Sequence, residues 1–237
     1  MFLSLRQTVF SFNDKVSLEI IFEDEYCLVV NKPNNLLIHH SYYARNIEEN
    51  SLVQLLKLEG KIAYPVHRLD RKTSGLILFS KSKEQVASFQ SLFETNQISK
   101  TYLALLRGHI SESGTIDSPV KNDRGNYKDA FTEYRCIKHF ELPTPVVPYE
   151  TSRYSLVEFK PQTGRMHQLR IHANKISHPI IGDHKYGNRH HNHMFADTLG
   201  ITNLFLHASS LDFKHPITQK QINLYVEPPS FWSDFSA

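Results

Sequence analysis

Apolar residues in this chain fall into short runs divided by polar, proline- and glycine-bearing breaks, a pattern that predicts many short strands and few helices. Leu18 to Phe22 and Tyr26 to Asn31 are β-rich runs around the acidic turn Glu23-Asp24-Glu25, as in a hairpin. Lys32-Pro33-Asn34-Asn35 then breaks the strand. Ser51 to Leu58 predicts a short helix. The continuous apolar run Leu76 to Phe79 after Gly75 predicts a buried strand. A helix is expected from Lys83 to about Thr95, with Ser82 as N-cap, Gln85 three residues on, and Val86, Phe89 and Phe93 on one face.

Lys100 to Leu106 predicts a strand ending at Gly108. The stretch from Ser111 to Glu150 is polar and punctuated by proline, with one strand expected at Phe131 to Ile137. Tyr154 to Lys160 predicts another, closed by the turn Pro161-Gln162-Thr163-Gly164. A helix is expected over Arg165 to Ser177, stopped before Pro179, and short strands over Asn203 to His207 and Gln221 to Val226. Strands outnumber helices and do not alternate with them, which favours an α+β fold over a parallel α/β sheet. Residues 1–17 have weak periodicity and are expected to form an N-terminal extension ahead of one large domain, 18–237.

The helix at Arg165 to Ser177 carries the first chemical hint. At about 100° per residue, Met166, Leu169, Ala173 and Ile176 share an arc of about 80°, the expected core stripe. Arg170 projects about 40° beyond Met166, while Gln168 points well away. Two readings of Arg170 stand: a partly buried guanidinium with an anionic partner such as Asp70, or a side chain reaching out to water over apolar neighbours.

Composition adds limits. The chain has 237 residues, is 40% hydrophobic and 22% charged, and carries a net charge of +3, which suits a globular protein with a sizeable core. No apolar run is long enough to span a bilayer. The N-terminus lacks the pattern of a secretory signal. With only two cysteines, neither a disulfide framework nor a thiolate metal site is expected. A cytoplasmic location is the expectation. From Lys160 to Ala196 the chain has six lysines or arginines, seven histidines and one acid, Asp183. That is either the electrostatic footprint of a polyanion or a solvated face balanced by acids elsewhere.

The run His67-Arg68-Leu69-Asp70-Arg71-Lys72-Thr73-Ser74-Gly75 sets one carboxylate between two arginines, ahead of two hydroxyls and a glycine. Such neighbours favour the charged carboxylate. Asp70 is therefore a candidate nucleophile or electrostatic anchor, or else a residue that organises its own turn.

These segments together resemble the RluA family of pseudouridine synthases. The His67 to Gly75 run is similar to its central motif, Lys100-Thr101-Tyr102 to its Lys-x-Tyr strand, and Asn31-Lys32-Pro33 to its first block. Gly164 to His172, His178 to Asp183 and Tyr186-Gly187 resemble its third block, and Leu206-His207-Ala208 its last. The blocks occur in order across residues 18–227. Thr151 to Glu158 and Phe195 to Gly200 look most like the branch that modifies uridine 65 in the T stem of tRNA. The family's optional N-terminal S4 domain is not evident.

The resemblance implies a pseudouridine synthase fold, a large, mostly antiparallel mixed sheet flanked by helices with an active-site cleft across its middle. It also implies that a uridine's glycosidic bond is broken, the uracil rotated, and carbon 5 joined to the ribose. Asp70 would be the catalytic carboxylate, attacking the ribose or taking a proton from it, with Arg170 as its partner. Tyr102 would stack on the uracil and remove the proton from carbon 5. A uridine in a stem must be flipped out, and Arg68 would fill the vacated stack. Lys32, Arg165 and Lys185 would contact phosphates, and Leu206 would line the uracil pocket. RNA, and tRNA foremost, is the expected partner; no cofactor, metal, membrane or obligatory protein partner is expected. The rivals are a synthase of the same family acting on ribosomal RNA, a noncatalytic RNA-binding module, and a metal hydrolase using His184, His190, His191 and His193.

Overall fold

A computed structural model describes residues 18–40, 49–122 and 124–235. The expected N-terminal extension, 1–17, lies outside the described residues. In chain order the elements are β1 (Glu19–Glu23), β2 (Cys27–Lys32), α1 (Leu52–Leu58), β3 (Tyr64–Pro65), β4 (Ser74–Ser80), α2 (Val86–Glu94) and β5 (Ile98–Arg107). There follow β6 (Ser113–Asp117), β7 (Val120–Lys121), β8 (Tyr127–Lys128), β9 (Phe131–Leu142) and β10 (Ser152–Pro161). The last are α3 (Gln168–Lys175), α4 (Arg189–Leu199), β11 (Leu206–Lys214), β12 (Gln221–Tyr225) and a 3₁₀ turn at Ser230–Phe235. The architecture is α+β. The chain forms two compact units: one runs up to Ser99 and resumes at Ala208–Glu227, the other comprises Lys100–His207 and the residues from Pro228 onward.

In the first unit the strand order is β1-β2-β4-β11, with β3 beside β4 and β12 beside β11. Every residue of β4 is buried, because its side chains alternate between two apolar layers. Leu76 and Leu78 join Cys27, Val29, Phe89, Leu92 and Phe213 on one face. Ile77 and Phe79 join Leu28, Val30, Leu52 and Leu56 on the other. The continuous apolar run in the sequence is thus a central strand. Helix α1 starts at a capping box in which Ser51 and Gln54 bond each other's backbone N–H.

The expected start of α2 is corrected: it begins at Val86, not Lys83, and Gln85 caps it without a side-chain bond. The N–H of Ser82 donates to Ser80 Oγ, 3.3 Å, and that hydroxyl donates to the carbonyl of Ser82, 2.8 Å. Ser82 is held in this bend, and Lys83 to Gln85 form a turn ahead of the helix.

In the second unit the order β5-β10-β9-β6 is antiparallel throughout. Strand β9 extends five residues past its expected end, pairing Leu142 with Ser152. The expected strand at Asn203 to His207 is displaced to Leu206–Lys214; Phe205 instead makes single backbone bonds to Leu105 and Ile181. The core gathers Leu105, Leu156, Phe159, Leu169, Phe195, Phe205 and Trp232. Helix α4, not expected from the sequence, buries His191, Met194 and Phe195.

Candidate active site

Asp70 lies in the first unit on the turn between β3 and β4. The turn is closed by the N–H of Thr73 donating to the carbonyl of Asp70, 3.1 Å. Ahead of it, His67 Nε2 accepts the N–H of Leu78 at 2.9 Å, and its ring stacks on Phe93, centroids 4.4 Å apart. Behind it, Gly75 sits at φ +105°, and a Cβ there would come 2.6 Å from the backbone nitrogen of Ala208. Only glycine permits this approach of β4 to β11. Asp70 itself is half-buried, and Arg68, two residues before it, is exposed. The sequence is thus used to fix a carboxylate-bearing turn at both ends.

Lys32 corrects one expectation. Its side chain is fully buried, and Nζ donates to the carbonyls of Pro33, Leu36 and Arg71 at 2.9, 3.0 and 2.9 Å. An ammonium with all three protons so engaged does not contact phosphate. Burial pushes its pKa down, to about 7, against the attraction of Asp70; three carbonyl acceptors are fully satisfied only by the ammonium form. Lys32 therefore ties β2 to the Asp70 turn. Nearby, the Asn34 amide donates to the carbonyl of Lys72, and Arg71 Nε donates to that of Asn35, 3.1 Å.

In the second unit, Arg170 is buried on α3 and holds Asp183 through two bonds, Nε to Oδ2 at 2.7 Å and Nη2 to Oδ1 at 2.9 Å. Asp183 Oδ1 also accepts the N–H groups of Lys185 and Tyr186, 2.9 and 3.1 Å. Burial raises the Asp183 carboxyl, but Arg170 and these N–H groups outweigh it and leave its pKa below the ordinary value. Tyr186 lies 5.2 Å from the guanidinium, ring centroid to Cζ. Sequence reasoning missed this pair, although Asp183 is the single acid of the basic segment.

The helical phase expected for α3 is also corrected. His167 takes a left-handed conformation, φ 55°, and the helix begins at Gln168. Met166 is consequently 41% exposed and Gln168 buried. Gln168 Oε1 accepts from the Thr163 hydroxyl and the Arg165 N–H, 2.7 and 3.0 Å. Its Nε2 donates to the carbonyl of Phe131 and to Thr132 Oγ1, 3.1 and 3.0 Å. A buried amide so satisfied fixes the loop that presents Arg165. Arg165 is exposed and donates from Nε to the carbonyl of Asp129, 2.9 Å.

Tyr102 is half-buried on β5, opposite Phe159. Leu206 is buried in the core of the same unit. Lys185 is exposed, with Nζ 5.3 Å from the Tyr186 ring. The expected residues therefore divide: Lys32, Arg68 and Asp70 in the first unit; Tyr102, Arg165, Arg170, Lys185 and Leu206 in the second.

Among the described residues, His184, His190, His191 and His193 do not come together as a group able to share an ion. His191 is buried, contacting Tyr154 Oη through Nδ1 at 2.8 Å and accepting from Arg107 Nε at 3.2 Å. Among the described residues the single group close enough to share an ion is Asp24, Cys27 and His215, with ligand atoms within 4.8 Å. His215 Nδ1 accepts the N–H groups of Ile217 and Thr218, 3.1 and 3.0 Å, which leaves the proton on Nε2 facing Asp24 Oδ2 at 3.3 Å. A metal ligand histidine has the opposite arrangement, donating from its second nitrogen. Burial, with Asp24 beside it, also drives the Cys27 thiol away from the thiolate. These residues fit a structural tie better than an ion.

Residues 26–175 match the model of a family described as RNA pseudouridylate synthase. The chain is 40% identical over 231 residues to tRNA pseudouridine synthase C of Pasteurella multocida, spanning 92% of this chain and 95% of that one. It is 37% identical over 227 residues to the protein of that name from Vibrio vulnificus, 91% and 92% of the two chains. Among solved structures it resembles human RNA pseudouridylate synthase domain containing 1, TM-score 0.72 at 27% identity, covering 91% of this chain and 85% of that one. Human RNA pseudouridylate synthase domain containing 4 gives 0.66 at 26% identity, covering 90% of each.

Proposed function

The chain belongs to the RNA pseudouridylate synthase family and is a pseudouridine-forming isomerase, and we propose that its substrate is tRNA and its target uridine 65 of the T stem. The observation that carries this reading is the 40% identity, over nearly the whole of both chains, to a tRNA pseudouridine synthase C. Residues 18–237 supply the catalytic region in this reading, and the location is cytoplasmic. No helix among the described residues is long and apolar enough to cross a membrane.

Asp70 acts on the ribose as the N1–C1′ bond breaks, and the freed uracil turns to offer carbon 5 to C1′. Loss of the carbon 5 proton completes an isomerisation that consumes no oxidant and no second substrate. Tyr102 stacks on the uracil and takes that proton, tasks suited to an aromatic face with a phenolic oxygen. Arg170 pairs with Asp70. In support, Arg170 is buried with its plane fixed by two bonds to Asp183, through Nε and Nη2, and a guanidinium so held is a positioned donor for carboxylates. Arg68, exposed and two residues from Asp70, fills the stack vacated by the flipped uridine. Leu206 borders the uracil, while Arg165 and Lys185 take phosphates.

Mapping pseudouridines in total RNA with and without the gene tests this assignment. Loss at a T-stem uridine of tRNA is expected. Loss confined to a ribosomal site would overturn the tRNA substrate.

A further inference from the structure

We infer that a cavity beside α4 is a phosphodiester-binding site for the RNA substrate; this inference rests on the RNA-modifying reading above. The cavity holds about 120 Å³ and lies wholly within the second unit. His184, Arg189, His193 and Thr202 line it together with Gly182 and Asp183. The three basic side chains are exposed. Arg189 donates from Nε to His190 Nε2 at 3.4 Å, a bond that does not use its terminal nitrogens.

Three features select the ligand's charge and shape. The one carboxylate in the lining, Asp183, is already neutralised by Arg170 and occupied by two backbone N–H groups. A permanent cation and two imidazoles therefore meet no free anion in the lining. Part of the lining is preformed: Asn192 accepts the N–H of Gly182 at 2.8 Å and donates to the carbonyl of Asp183 at 3.0 Å. Two N–H groups of the helix terminus, those of His190 and His191, are already taken by Asn188 Oδ1. The charge that attracts an anion is on the side chains. Ala196 and Ile201 supply an apolar wall, which suits the sugar beside a phosphodiester better than a free, fully hydrated anion.

Steady-state kinetics of Arg189→Ala and of the double variant His184→Ala/His193→Ala, on full-length tRNA at several NaCl concentrations, tests the site. KM is expected to rise about fivefold or more with kcat within about twofold of wild type. For Arg189→Ala, the slope of log binding constant against log salt becomes shallower by about 0.7–0.9, one phosphate contact. Arg189→Lys keeps the wild-type slope. An unchanged KM and slope, in an enzyme that still converts tRNA, overturns the site and leaves the tRNA assignment standing. A raised KM with an unchanged slope also overturns it, because a structural defect releases no counterion. A wild-type enzyme that forms no pseudouridine in tRNA defeats the assignment, and the inference with it.

Discussion

Arg170 and Asp183 are joined by a two-bond ion pair at 2.7 and 2.9 Å, with the carboxylate fully buried and the arginine nearly so. The pair links α3 to the turn after Gly182. That glycine, at φ +78°, leaves no room for a Cβ against the backbone of Asn203. An arginine held on one edge has a fixed plane, so whatever meets its other edge meets a positioned donor. In the proposed reaction Asp183 is a positioning residue, acting through Arg170.

Asp183→Asn tests that role. It removes one charge of a buried pair and is expected to destabilise the protein by about 3 kcal/mol, read by denaturant unfolding. At a temperature where the variant remains folded, kcat should fall by at least about tenfold with little change in KM for tRNA. A normal kcat in the folded variant would show that Arg170 needs no such support.

Gly75→Ala is expected to cost more than about 3 kcal/mol, since the added methyl meets the Ala208 backbone at a φ that alanine disfavours. Gly164→Ala is the control: nothing lies within 4 Å of its added Cβ, and its unfolding free energy should stay within about 0.5 kcal/mol of wild type. Equal effects at the two positions would contradict the close approach of β4 and β11.

His191 predicts a pH dependence. Burial first, then Arg107 and His190, push its pKa down to about 4, and its Nε2 accepts from Arg107 only while unprotonated. The unfolded chain takes up this proton below about pH 6.5. Stability from this group is therefore complete above pH 6.5 and lost as pH falls towards 4, by about 2–3 kcal/mol. The difference in unfolding free energy between wild type and His191→Gln should narrow by that amount over this interval. A constant difference would mean that His191 is charged in the folded protein.

Lys32→Met leaves three buried carbonyls without their donor. A loss of about 2–3 kcal/mol is expected, together with reduced turnover, because the Asp70 turn loses its tie to β2. Affinity for tRNA should change little in folded protein. A selective loss of affinity would restore the phosphate contact that the buried position argues against.

How much of this was legible in the sequence varied with the physics involved. Strand β4 declared itself because a run buried on both faces has nothing but apolar side chains and small hydroxyls. Helix α4 did not, because its first five residues are polar and mostly histidine, although Asn188 at its N-cap and Gly200 past its end were available signals. Periodicity placed Met166 in the core and Gln168 outside it. A helix projected back through His167 carries the wrong phase, and Gln168 is buried by hydrogen bonding, which hydropathy does not register. Lys32 read as a surface cation for the same reason. The Asp70 motif stood out as chemistry, but its neighbours' tasks depend on backbone carbonyls that no residue pattern reveals.

Asp70 is central to the proposed reaction, and pseudouridine formation by purified Asp70→Asn on tRNA, measured beside its affinity for the same tRNA, tests it. The expected result is no detectable pseudouridine at the T-stem uridine that wild type converts, with tRNA affinity within about threefold. Conversion by the variant at the wild-type rate would show that the Asp70 carboxylate is not needed for the reaction.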